Sequence, residues 1–228
     1  MKKIITHIPH SSSFIPEFEH YVISKEKVIS EVILLTDWYT DDLFHSNNSI
    51  PVIADFNRVF CDVERFEDDK LEMMSEFGMG VLYTKTDNGQ LMRDLTNDYR
   101  EKIINRYYRK HHDSFTSTVK KQLSENGMAM ILDCHSFSDV PFKRDLNQNS
   151  NRPDFCIGSD IYHTPQNLID ISIEFFNSKG YSLELNNPYS GSIVPSEFYQ
   201  SNNNVKSIML EINRKLYLKP NSIEKSEN

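Results

Sequence analysis

The sequence predicts an α/β domain built on a largely parallel sheet, and three observations carry the prediction. Met128–Leu132 is a short apolar run that gives way to Asp133-Cys134-His135-Ser136, the pattern of a strand buried on both faces. Other short apolar runs lie at 3–8, 51–56, 154–158, 181–185 and 205–218, with helical stripes between them, as in units of strand, crossover helix and strand. Polar, chemistry-bearing residues stand where several of these runs end, and a parallel sheet opens its ligand crevice at the carboxyl ends of its strands.

Length and composition bound the answer. With 228 residues, 38% hydrophobic and 25% charged, the chain suits one domain with a full core. That domain is expected over residues 1–219, followed by a polar tail, 220–228, expected to fray. A formal charge of −8 argues against a nucleic-acid partner, so an anionic substrate needs a local cluster of arginine or lysine. The cysteines are Cys61, Cys134 and Cys156, with no C-x-x-C, which argues against a disulfide scaffold and points to a reducing, cytoplasmic compartment. The opening MKKIITHIPHSSS is interrupted by His7, Pro9 and His10, too early for a signal peptide. No run approaches the length of a membrane span, and nothing in the sequence fixes an oligomeric state.

In chain order, Lys3–Ile8 reads as the first strand, delivering His10 into a loop of serine and proline. Ser24–Asn47 places Val28, Val32, Leu35, Tyr39 and Leu43 on a helical stripe, with Ser24 as N-cap. On that helix Asp37 and Asp41 share a face. Asp41 and Asp42 read as solvated, whereas Asp37, beside Trp38 and the apolar stripe, is the better inward-facing carboxylate. Pro51–Phe56 is a strand followed by Arg58 and Arg65, each set among apolar residues. Such guanidiniums grip a carboxylate, either of a ligand or of the protein, with Asp62 or Glu64 the internal choice. Residues 67–80 read as loop with a helical turn, 80–84 as a short strand, and Asp87-Asn88-Gly89 as a turn.

Asp94–Asn126 is the longest helical pattern. Its stripe of Tyr99, Ile103, Tyr107, His111, Phe115, Val119 and Leu123 repeats every four residues, which drifts around a 3.6-residue helix and predicts a kink or split near His111-His112. After the central strand, residues 142–151 form a polar, basic loop suited to folding over a site. Asp154–Gly158 is a strand, Thr164-Pro165 opens a helix that Gly180 ends, and Tyr181–Leu185 is a strand leading into the loop 186–192. In the last strand, Val205–Leu218, Ile208, Leu210 and Ile212 face one way, and Met209, Glu211 and Asn213 the other. An acid there is costly unless it is paired, protonated or facing a wet cleft.

Taken alone, His135 serves equally well as a hydrogen-bonded group at the rim of a core or as a ligand, with Asp133 nearby on the same face. The set is more informative. Two histidines at strand ends, a carboxylate on a helix and a carboxylate within a strand match a catalytic zinc site with three protein ligands and a fourth position for water. The assignment is His10, Asp37 and His135 as ligands and Glu211 as base, with an arginine to stabilise the oxyanion.

The pieces IPHSS at 8–12, TDWYTDDL at 36–43, DFNRVFCDVER at 55–65, LDCHS at 132–136, NNPYSG at 186–191 and LEINRKLY at 210–217 resemble the N-formylglutamate amidohydrolase family over nearly the whole chain. That resemblance implies kinship of fold with zinc carboxypeptidases and aspartoacylase, a mixed sheet between helices. It implies hydrolysis of N-formyl-L-glutamate to formate and glutamate, a step of histidine degradation. Asn57-Arg58 looks like the Asn-Arg pair of those relatives, whose arginine holds a substrate carboxylate or carbonyl oxygen, and Glu211 like their strand-borne base. N-formylglutamate carries two carboxylates, which Arg58 and Arg65, joined by Arg144 or Arg214, could receive, with Tyr189, Ser190 and Gly191 completing the pocket. The carboxypeptidase H-x-x-E is absent, since Ser13 stands three after His10, so the acidic ligand must come from elsewhere. Two rivals remain: a carboxypeptidase-like peptidase or other deacylase, and a non-catalytic anion binder.

Overall fold

The computed structural model describes residues 3–227. Four strands, β1 (Ile4–Ile8), β2 (Ser49–Ile53), β3 (Ala129–Phe137) and β6 (Val205–Asn213), run parallel. β4 (Phe155–Gly158) pairs antiparallel with β6 and parallel with β5 (Leu183–Leu185). The six strands lie in the order β2-β1-β3-β6-β4-β5, a mixed, mostly parallel α/β sheet as expected. Pro51 is tolerated because β2 is an edge strand.

Helices cover both faces. Phe115 and Val119 of α4 (Arg109–Asn126) pack with Ile5, Ile131 and Val205 on one face. Ile169 of α5 (Gln166–Ser178) packs with Ile157 and Ile208, backed by Met130 and Leu132, on the other. Odd-numbered residues of β3 therefore face α4 and even-numbered ones α5, so Asp133 and His135 share the α4 face. A third cluster joins Val28, Val32 and Leu35 to Val59, Phe60, Val81 and Tyr83 beside the carboxyl ends of the strands.

Several elements differ from expectation. The helix expected over Ser24–Asn47 is two, α1 (Lys25–Leu35) and α2 (Thr40–Leu43). Thr36 stops the first by returning its hydroxyl to the Val32 carbonyl at 2.6 Å, the Asp37 amide leaves to donate to the His10 carbonyl at 3.0 Å, and Tyr39 turns the chain at φ 64°. Asp37 is thereby separated from Asp41 and buried, while Asp41 stays exposed. The long helix is α3 (Asn97–Ile103) and α4 joined by a π-helical turn, Ile104–Tyr108. That wider turn takes up the drift of a four-residue stripe, so Tyr99, Ile103, His111, Phe115 and Val119 are all buried. Residues 80–84 form a buried loop rather than a strand.

β3 does not stop at Leu132; the ladder with β6 continues to Phe137. β6 itself ends at Asn213, and Arg214–Leu216 is a 3₁₀ turn. In the tail, Leu218 bridges Lys225, and the Tyr39 hydroxyl donates to the Ile223 carbonyl at 3.0 Å.

Candidate active site

The sheet register builds the site. On neighbouring strands His7 pairs with Asp133 and His135 pairs with Glu211, so four polar side chains form a patch at the carboxyl ends of β1, β3 and β6. Pro9 ends β1, and His10 turns back over that patch. The break after α1 brings in Asp37 from the helical layer.

His10, Asp37 and His135 each offer one donor atom, and these lie within 4.8 Å of one another. Asp37 Oδ2 is 3.7 Å from His10 Nδ1 and 3.3 Å from His135 Nδ1. Each donor is fixed from behind. His10 Nε2 meets Asp62 Oδ1 at 2.9 Å, and His135 Nε2 meets Asp133 Oδ1 at 3.1 Å. Arg214 donates to Asp37 Oδ1 at 2.9 Å and also holds the carbonyls of Leu34 and Ser136. His10 Nδ1 is buried and has no hydrogen-bond partner among the described residues. An orphaned imidazole nitrogen of this kind costs free energy unless something lies opposite it.

The electrostatics favour positive charge at that point. Burial opposes ionisation of Asp37, yet the imidazoles of His10 and His135, 3.7 and 3.3 Å from its Oδ2, and the charge of Arg214 hold it well below the usual carboxylate range. Burial likewise opposes a proton on His135, but Glu64 and Asp133 outweigh it and raise its affinity for one well above the ordinary value. A field that holds an extra proton on an imidazole also attracts a cation. Glu211 behaves oppositely. Burial, with Asp37 adding to it and His135 and Arg58 opposing, pushes its carboxyl up to about 8, and its Oε2 has no hydrogen-bond partner.

These residues line one cavity of about 330 Å³, in the range of small-ligand sites. Arg58, Arg65, Tyr189 and Ser190 line it as well. Arg58 donates to the Tyr83 hydroxyl and to Asp62 Oδ2, both at 3.1 Å. Asp62 is therefore its internal partner, and Arg65 lies 3.4 Å from the same oxygen. Burial opposes the Arg58 charge, but Tyr83 and Asp62 prevail and it is held more firmly protonated than usual.

Three expected contributors are elsewhere. Asn57 is fully buried and ties the Ser12 carbonyl to the Thr36 hydroxyl, at 2.7 and 2.8 Å, so it braces the loops that carry His10 and Asp37. Arg144 turns away to the Phe77 carbonyl at 2.8 Å because Asp87 anchors its backbone. Gly191 packs on β4, where a side chain at Gly158 would strike its carbonyl.

The sequence reading missed Arg152, which is buried and lines the cavity. It is held by Asp145 at 2.8 Å and by the Tyr189 hydroxyl at 3.2 Å. It stands three residues before β4, whose antiparallel direction puts its start, not its end, beside the carboxyl end of β6. The basic loop 142–151 was the only signal pointing there.

A larger concavity of about 430 Å³ lies between Val52–Phe56 and residues 106–114. It gathers one histidine and one aspartate among its lining and no convergent donor set, so size does not decide the matter.

A family model described as N-formylglutamate amidohydrolase matches residues 2–218. The chain belongs to the N-formylglutamate amidohydrolase family. A crystal structure of N-formylglutamate amidohydrolase from Ralstonia eutropha JMP134 superposes with a TM-score of 0.83 at 25% identity, covering 98% of this chain and 86% of that one. A gene product of Agrobacterium tumefaciens shares the fold at a TM-score of 0.68 and 17% identity, covering 94% of this chain and 80% of the other. No curated protein matches the sequence. Among the described residues no helix is long and apolar enough to cross a membrane. The family's amidohydrolase chemistry thus has, in this member, a cavity where a buried His/Asp/His trio able to hold a metal shares the lining with a carboxyl group, Glu211, whose Oε2 has no hydrogen-bond partner among the described residues.

Proposed function

We propose that the chain is a metal-dependent hydrolase that cleaves the amide of N-formyl-L-glutamate to formate and L-glutamate. The observation that carries this reading is the orphaned His10 Nδ1, buried in the same cavity as Asp37, His135 and the unpartnered Glu211 Oε2. Two imidazoles and a carboxylate are a donor set that suits zinc, with a coordination position left over. A divalent ion held by His10, Asp37 and His135 would supply Lewis acidity to the formyl carbonyl and to the attacking water.

The remaining work falls to the chain's own side chains. Glu211 takes a proton as water adds to the formyl carbon, then gives it to the amide nitrogen as the C–N bond breaks, leaving formate and the free amine. Arg58 sits where it can stabilise the oxyanion or bind a substrate carboxylate, and Arg65 offers a second charge for a dianionic substrate. Tyr189 and Ser190 line the cavity with Phe142 and Asn147, and its volume of about 330 Å³ suits a small substrate. Histidine degradation in the cytoplasm is the setting such a substrate implies.

Metal analysis coupled to formate release over a panel of N-formyl and N-acetyl amino acids tests the proposal. We expect about one divalent ion per chain and the fastest release from N-formylglutamate. A metal-free, fully active protein would refute the mechanism, and a preference for neutral or peptidic substrates would refute the substrate.

A further inference from the structure

Behind the trio lies a second group, the buried His7 and Asp133 with the half-buried Glu64. His7 Nδ1 is 3.1 Å from Asp133 Oδ1 and 3.3 Å from Glu64 Oε1. The same Asp133 oxygen is 3.1 Å from His135 Nε2, and Glu64 Oε2 is 3.4 Å from it. The other Asp133 oxygen accepts the Ile193 amide at 3.0 Å. On its far side the His7 ring is fixed as well, with Nε2 3.0 Å from His111 Nε2 and the ring stacked on Phe115 at 4.7 Å between centroids. His7 is fully buried, in the strand beside β3.

This arrangement has a direction. If His135 Nδ1 faces His10 and Asp37, its Nε2 carries the hydrogen and donates to Asp133. Asp133 can hold that orientation only while its own position is fixed. Apart from His135, the groups among the described residues that hold it are the Ile193 amide and His7 Nδ1, which donates to Asp133 when it carries the hydrogen. We propose that His7 is a positioning residue for the candidate metal centre, acting through Asp133 to set the tautomer and ring angle of His135. This rests on the metal-dependent reading above and assigns His7 no contact with metal or substrate.

The test separates the two nitrogens of His7. In His7→Asn the amide nitrogen stands near the former Nδ1 and still donates to Asp133; in His7→Gln it stands near the former Nε2 and does not. Zinc affinity is measured by chelator competition, and geometry by the visible absorption of the cobalt(II)-loaded protein. His7→Asn should keep the parent affinity and spectrum. His7→Gln should lose about tenfold in affinity, at the low end for partners behind a metal ligand, with shifted cobalt bands.

Equal losses in both variants would mean that His7 only packs, and no loss in His7→Gln would mean that it does nothing for His135. A parent holding two metal equivalents, one of them lost in both variants, would make His7 a ligand; each of these results overturns the proposal. Should neither variant fold, ¹⁵N-histidine NMR of the zinc-loaded parent decides. The expected pattern is hydrogen on His7 Nδ1 and His135 Nε2 and none on His135 Nδ1, and any other tautomers overturn it. A parent that binds no metal removes the hydrolase reading and this inference together, whereas a parent that binds metal with an insensitive His7→Gln removes only this one.

Discussion

His7 and His10 are three residues apart and both buried, yet their surroundings differ in kind. His7, within β1, has both ring nitrogens engaged, one by Asp133 and Glu64, the other by His111. His10, just past the strand, has one nitrogen engaged by Asp62 and the other facing Asp37 and His135 with no hydrogen bond. Both neighbourhoods gather histidine and carboxylate at metal-compatible spacing. Only the second leaves an imidazole nitrogen in reserve. Proximity of ligating side chains is therefore a poor criterion by itself; what separates a candidate centre from a scaffold is whether the ring nitrogens are already spent.

The contrast can be broken most sharply at the trio. His10→Ala or His135→Ala should abolish stoichiometric metal and bring hydrolysis to background; metal retained in His10→Ala would erase the distinction. Glu211→Gln should keep its metal and lose about 10²- to 10⁴-fold in kcat, the usual range for an acid–base group. Formate release at the parent rate would dismiss Glu211 as base. Arg58→Ala and Arg65→Ala should each lower kcat/KM about tenfold to a hundredfold, as expected for one charged hydrogen bond, with Arg65→Ala acting mainly through KM. At the scaffold end, Asn57→Ala strands buried groups and should lower stability by about 1–3 kcal/mol in denaturant titration. The exposed Lys225–Asp42 pair sets the floor: Lys225→Ala should leave the denaturant midpoint essentially where it was.

The same contrast explains what could be read in the sequence. Buried parallel strands are apolar runs, so the sheet was legible, and the polar residues that end or interrupt such runs picked out His10, His135 and Glu211. Their supports were not. The hydrogen bond of Asn57 to Thr36 joins the loop after β2 to the break after α1, a contact that exists only in three dimensions. Arg152 is not legible because a crevice at the carboxyl ends of strands points away from the start of β4, which runs the other way. The break at Thr36 was hidden because a helical stripe continues through it, and only the hydroxyl's return to Val32 and the left-handed Tyr39 reveal the turn.

Arg214 grips Asp37 across 177 positions of sequence, and Glu211 arrives only three residues earlier. During synthesis, Asp37 can therefore meet His10 and the Ser136 amide while its second carboxylate oxygen still waits for a partner. That oxygen is claimed only when β6 has docked beside β3 and the turn after it delivers a guanidinium translated long afterwards.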